Sequence, residues 1–153
     1  MSQNNISLSK MRRLLWLMGV VKIPLIAYVR PKLIHLDEKS CKVRVKLRRR
    51  TKNHLKSMYF GSLAVGADVA AGLHAYYFAE NSGVKVSFAF KAVKAEFLMR
   101  AMTHVTFESK DGAIVEEAFQ EAMRTKERVN QWVKVEAKNT KNEIVAIFDM
   151  EIS

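Results

Sequence analysis

One acidic residue stands alone in a long uncharged stretch. From Ser57 to Ala79 the only charged side chain is Asp68, accompanied by the titratable His74. On a helix its i±3 and i±4 neighbours are Ala64, Val65, Ala71 and Gly72, so no local cation pairs with it. Burying an unpaired carboxylate is expensive, and alanine would serve a purely structural helix better. The chemistry that suits such a residue is a carboxylate in an apolar cleft, with a raised pKa, acting as general base or nucleophile. The competing structural reading is an Asp that bonds a backbone amide, meets a distant Arg, or stands in solvent at a helix end.

The start of the same stretch offers a second chemical feature. Gly61 and Ser62 follow a loop, so the free N–H groups of a helix beginning there would face whatever occupies that loop. Such a mouth polarises a carbonyl and stabilises an oxyanion. The Ser62 hydroxyl reads more simply as a helix cap. Arg48, Arg49, Arg50 and Lys52 lie just before Asn53 in this loop. They suit the phosphates of an anionic substrate or an acidic protein face, and equally a solvated strand end.

Other chemistries find no support. His35, His54, His74 and His104 have no metal-ligand spacing and no cysteine partner, so no zinc site is expected. No Ser-His-Asp order, phosphate loop or dinucleotide fingerprint occurs. Cys41 reads as core, and a lone cysteine predicts no internal disulfide and a reducing cytoplasm. Phe88, Phe90 and Phe107 alternate as core or tunnel lining does, while Met58, Met99 and Met102 suit an adaptable apolar pocket or gap filling.

The elements that must position these residues follow from patterning. Lys10, Arg12 and Arg13 precede an apolar run from Leu14 to Val21, too short for a membrane span, which needs about 20 residues. It reads as an amphipathic helix, capped at Ser9 and ended near Val21 to Ile23 by Pro24; a membrane-surface helix is the minority alternative. Residues 1–30 thus form a helix and connector, and residues 31–153 one domain. Lys32 to Asp37 is a short strand. Next, Cys41, Val43, Val45 and Leu47 alternate with Lys42, Arg44, Lys46 and Arg48, marking a strand with one buried face.

Gly61 to Ala79 is the one long central helix, with six Ala and three Gly among its 19 residues. Each glycine costs roughly 1 kcal/mol of propensity, so this helix is built to approach a sheet closely rather than to stand alone. Strands are expected at Val84 to Ala92, Thr103 to Ser109, from Trp132, and over Ile144 to Ile152, with a short helix at Asp111 to Arg124. Strands without crossover helices imply an antiparallel sheet and an α+β class.

The 153 residues, 49% apolar and 27% charged, bound a single globular domain. The charge is lopsided: residues 1–56 hold 15 Lys/Arg against 2 Asp/Glu, and residues 57–153 hold 11 against 13. The first part therefore carries +13 and the second −2, a field that concentrates anionic partners without choosing among cofactor phosphates, acidic proteins, nucleic acid and membrane.

Asn53, Gly61 eight positions on and Asp68 seven further resemble the signature of hotdog-fold thioesterases of the PaaI-like, phenylacetate-pathway type. Tyr59-Phe60-Gly61-Ser62-Leu63 up to Asp68, the N-terminal helix and Phe97-Leu98 look closer still to another branch of that superfamily, one without an assigned activity. The resemblance implies a curved antiparallel sheet wrapped around the central helix, pairing of two subunits, and a thioester tunnel at the dimer interface. It further implies Asp68 as base or nucleophile, the Gly61 N–H as carbonyl polariser, and Asn53 as the group orienting water or substrate. Tyr59, Phe60 and Ser62 would line the substrate, with Arg49, Arg50 and Lys52 gripping coenzyme A or an acyl carrier protein. Coenzyme A enters as part of the substrate, and no resident cofactor or metal is implied. Dimer and tetramer would share this buried pattern. One departure stands out: the family's His-Gly-Gly falls on Tyr59-Phe60-Gly61, and a bulky Phe60 narrows the mouth.

The leading expectation is an acyl-thioester hydrolase, with a non-catalytic acyl-binding protein as the alternative. A nucleic-acid binder ranks third, since it lacks interleaved exposed aromatics and gives Asp68 no role.

Overall fold

The computed structural model describes residues 6–153. The chain opens with a helical hairpin. Helix α1 (Leu8–Leu17) runs into one π-helical stretch (Met18–Lys22), and α2 (Pro24–Val29) follows with Pro24 at its first position. The cap of α1 is Ser7 rather than the expected Ser9: its side chain accepts from the Lys10 N–H and its carbonyl takes the Lys10 and Met11 amides. Pro24 ends one helix as expected and also starts another, since its fixed φ and missing N–H both suit the first helical position.

Six strands then form one antiparallel sheet. They are β1 (Lys32–Leu36), β2 (Cys41–Val45), β3 (Phe90–Phe97), β4 (Val105–Ser109), β5 (Gln131–Lys138) and β6 (Ile144–Ile152). Their order across the sheet is β1-β2-β4-β5-β6-β3. The inner face carries the expected alternation: Cys41, Val43 and Val45 of β2, Val105 and Phe107 of β4, and Val133, Val135 and Ala137 of β5 are fully buried.

Helix α3 (Phe60–Ser82) packs along β2, β4, β5 and β6, and Gly83 in the left-handed conformation closes its end. Its small residues Ala67, Ala70 and Ala71 are fully buried, which lets the helix axis lie close to the sheet. Helix α4 (Gly112–Thr125) begins one residue after Asp111, whose carboxylate accepts from the Lys134 N–H at 2.7 Å instead of capping its own helix. Two strands start later than expected. Residues 84–89 alternate in sequence but pair with the sheet only through reciprocal Ala89–Ser153 backbone bonds, and β4 begins at Val105 rather than Thr103. The alternation there serves packing against α3, where Phe88 meets Tyr76 edge-on at 5.0 Å. Strand β3 closes one edge of the sheet and leaves Val93 and Phe97 exposed.

Candidate functional site

Helix α3 carries both chemical features on one face. Gly61, Val65, Asp68, Gly72 and Tyr76 follow helical spacing, so Asp68 lies two turns, about 10 Å, beyond Gly61 on the same side. The face is apolar around the acid because the sheet-facing side of the helix needs small residues and this side meets hydrophobic neighbours.

Asp68 opens into a cavity of about 210 Å³. The N-terminal hairpin supplies one wall through Leu15, Met18, Ile23 and Ile26, the helix supplies Gly72 and Tyr76, and Phe88 and Phe90 close the third side. No hydrogen bond or ion pair reaches the Asp68 carboxylate among the described residues. Burial pushes its pKa above the ordinary carboxylate value. Burial also raises Tyr76, and the Asp68 charge adds to that shift. A carboxylate so placed is a proton acceptor without a competing partner.

The mouth of α3 is a separate feature. Tyr59 occupies the cap position, and its carbonyl accepts from the Ser62 and Leu63 N–H groups at 2.9 and 3.1 Å. The N–H groups of Phe60 and Gly61 have no partner among the described residues, which leaves donors at the positive end of the helix. The Tyr59 ring packs beside Gly61: a β-carbon there would stand 2.6 Å from its edge. Phe60 stacks on Tyr59 at 4.8 Å and meets Phe97 at 6.4 Å. Ser62 is buried at the third position of the helix, so it is not the cap that its position suggested.

Asn53 spends its side-chain oxygen on its own loop, accepting from the Leu55 N–H, the Ser57 N–H and the Ser57 hydroxyl at 2.9, 3.2 and 3.1 Å. Its amide nitrogen has no partner among the described residues. Of the basic residues, Arg50 bonds the Tyr28 carbonyl at 3.2 Å and lies 5.3 Å above that ring, tying the loop to α2. Arg49 and Lys52 are exposed. Within one chain the residues stand apart: Tyr59, Phe60 and Gly61 at the mouth, Asn53 in a turn bonded to Leu55 and Ser57, and Asp68 in a cavity that none of them lines. The hairpin wall was invisible in the sequence, because helices distant along the chain meet α3 only through tertiary packing. Among the described residues no three His, Cys, Asp or Glu side chains gather as a metal site would require.

Comparison with known proteins places this chain. The sequence matches the domain of unknown function DUF4442 over residues 11–153. The chain belongs to the DUF4442 family. A comparison with curated proteins found no match. Among solved structures, a thioesterase candidate from Shewanella oneidensis superposes with a TM-score of 0.80 at 12% identity, covering 95% of this chain and 97% of that one. A thioesterase from Haemophilus influenzae gives 0.68 at 11% identity, with 99% and 92% covered. The PaaI protein of the E. coli phenylacetic acid degradation operon gives 0.62 at 17%, with 95% and 98% covered. These likenesses establish that this DUF4442 chain has the hotdog fold, as its residues implied.

Proposed function

We propose that this DUF4442 protein hydrolyses acyl thioesters, with Asp68 as general base. The observation that carries the reading is a lone carboxylate, unpartnered and two helical turns from unbonded N–H donors, in an apolar cavity. The ionised Asp68 takes a proton from water as its oxygen bonds to the acyl carbon. The Gly61 N–H of a second copy polarises the carbonyl, the C–S bond breaks, and the thiolate leaves and regains the proton. Products are a carboxylic acid and a free thiol.

A second copy of the chain would complete the site. The mouth and the cavity stand apart in one chain, and the β3 edge with exposed Val93, Phe97, Leu98 and Met99 offers an apolar pairing surface. Acyl-coenzyme A or an acyl carrier protein suits the exposed Arg49 and Lys52 beside the mouth, while Arg50 is already engaged with α2.

Thiol release from acyl-coenzyme A of short, medium and long chain tests this directly. Asp68→Ala should lower kcat by about 100-fold or more, as loss of a positioned base does, with circular dichroism unchanged. Wild-type protein inactive on every chain length would refute hydrolysis.

One observation favours a second reading. The Tyr59 ring crowds Gly61, and a crowded helix mouth suits a protein that binds acyl groups without cleaving them. Such a protein would retain a fatty ligand in native mass spectra and release no thiol.

A further inference from the structure

The N-terminal hairpin buries one side and leaves a second apolar side uncovered. Met11 and Leu15 of α1 and Ile26 and Val29 of α2 face the core. That stripe is all a surface helix needs to be held in place. Yet Trp16 is 63% exposed and Val21 70%, and Leu17, Val20, Leu25 and Tyr28 are also exposed. The hairpin is a rigid platform, not a loose tail. Gly19 sits so close to α2 that a β-carbon on it would stand 3.0 Å from the Ala27 nitrogen, and Arg12 Nε donates to the Leu33 carbonyl at 2.9 Å.

Charge on this platform has one sign. Residues 6–36 contain Lys10, Arg12, Arg13, Lys22, Arg30 and Lys32 and no Asp or Glu. A groove of about 460 Å³ runs between α1 and β1, with Trp16 and Val20 in its wall and Arg12, Arg30 and Lys32 at its polar side. Cations beside an apolar groove match an anionic headgroup joined to a hydrocarbon tail. Exposed Trp, Tyr and aliphatic side chains among Lys and Arg are the composition of helices that lie in a bilayer interface. Among the described residues no helix is long and apolar enough to cross a membrane, so the contact is with a surface. A second copy of the chain fits less well, because its own basic half would repel this one.

We infer that the α1–α2 hairpin docks the protein on an anionic phospholipid bilayer. Trp16, Val20, Val21 and Leu25 enter the headgroup boundary, and Arg12, Arg30 and Lys32 hold a lipid phosphate in the groove. The inference does not depend on the catalytic reading.

Flotation with vesicles tests it, using phosphatidylcholine alone and phosphatidylcholine carrying about 30% phosphatidylglycerol. The protein should float with the anionic vesicles and stay behind with the neutral ones. Arg30→Gln with Lys32→Gln should weaken binding roughly fivefold per charge, about 25-fold together. Trp16→Ser with Val21→Ser, at exposed positions, should weaken it about tenfold or more while salt sensitivity persists. Equal or absent binding to both vesicle types would overturn the inference. So would full binding by either double variant. A change in solution mass of the Trp16→Ser/Val21→Ser protein without lipid would overturn it too, and would assign this face to another copy of the chain.

Discussion

The Phe107 ring fills the space that a β-carbon on Gly66 would need. Phe107 is fully buried in β4, and its ring cannot swing aside into solvent. Gly66 is therefore a point where α3 leaves no room for a side chain above β4. Gly66→Ala should gain about 1 kcal/mol of helix propensity and lose about 1–3 kcal/mol to overpacking. The expected net is a fall in Tm of a few degrees, about 2–4 °C per kcal/mol, read by thermal denaturation. An unchanged or raised Tm would mean the helix shifts freely on the sheet.

Gly61 also lies against an aromatic ring, with the opposite consequence. Tyr59 is half exposed, and the atoms nearest Gly61 belong to the free end of its side chain. Tyr59→Ala should leave stability within about 1.5 kcal/mol, the scale of its contact with Phe60. Opening the space beside Gly61 should raise kcat/KM on acyl thioesters by about tenfold or more if it admits the carbonyl to the helix-mouth donors, since one such donor is worth at least that much. Unaltered kinetics would show that the ring already moves away when substrate binds.

The two rings explain what the sequence revealed and what it hid. Nine small residues between Gly61 and Ala79 announced a helix that must lie close to a sheet, and α3 with β6 stands where patterning placed it. Lone Asp68 was legible because helical neighbours are fixed by spacing alone. Its cavity was not, because Leu15, Met18, Ile23 and Ile26 come from elements about 40–50 positions away. Helix α2 was hidden by Pro24, which punctuates both a helix end and a helix start. Residues 84–89 alternated like a strand because Phe88 packs on α3. Period two records alternate burial, whether or not a neighbouring strand supplies hydrogen bonds.

Asp68 should weaken the fold that holds it. Burial raises its folded pKa above the unfolded value near 3.8, so the native state holds more protons than the unfolded state between those two values. Stability therefore falls as pH rises through that window, and the loss is complete above the raised pKa. Asp68→Asn keeps the shape and removes the charge. It should raise Tm at neutral pH by about 2–4 °C per kcal/mol recovered, with no gain below about pH 3.8, while abolishing thioester turnover. Paired melts of the two proteins across pH provide the check. A variant less stable at pH 7 would show that the carboxylate has a partner in solution.

His74 gives a slope of the opposite sign. Its ring is fully buried on α3, stacked on Phe78 at 6.2 Å, and Nε2 lies 3.2 Å from the Asp37 carbonyl. A carbonyl only accepts, so Nε2 carries the hydrogen, and Nδ1 has no hydrogen-bond partner among the described residues. Burial lowers the folded pKa below the ordinary 6.5, outweighing the Asp37 and Ser40 backbone carbonyls and the Asp37 and Asp111 charges that favour the cation. In the window beneath 6.5 the unfolded state binds the extra proton, so stability falls as pH drops through it. Asp37 acts lower still. Partial burial favours its neutral form, but the N–H groups of Ser40 and Lys39, with His35, hold its pKa down to about 2, so its contribution is lost only below about 3.8. His74→Gln keeps a donor for the Asp37 carbonyl and removes the titration. Urea denaturation from pH 7 to pH 4 should show the wild-type protein losing stability relative to the variant as the pH drops, by at most about 1.4 kcal/mol for each step of one in pH, while the opposing Asp68 slope is common to both. An identical slope in both proteins would mean that another group carries the acid sensitivity.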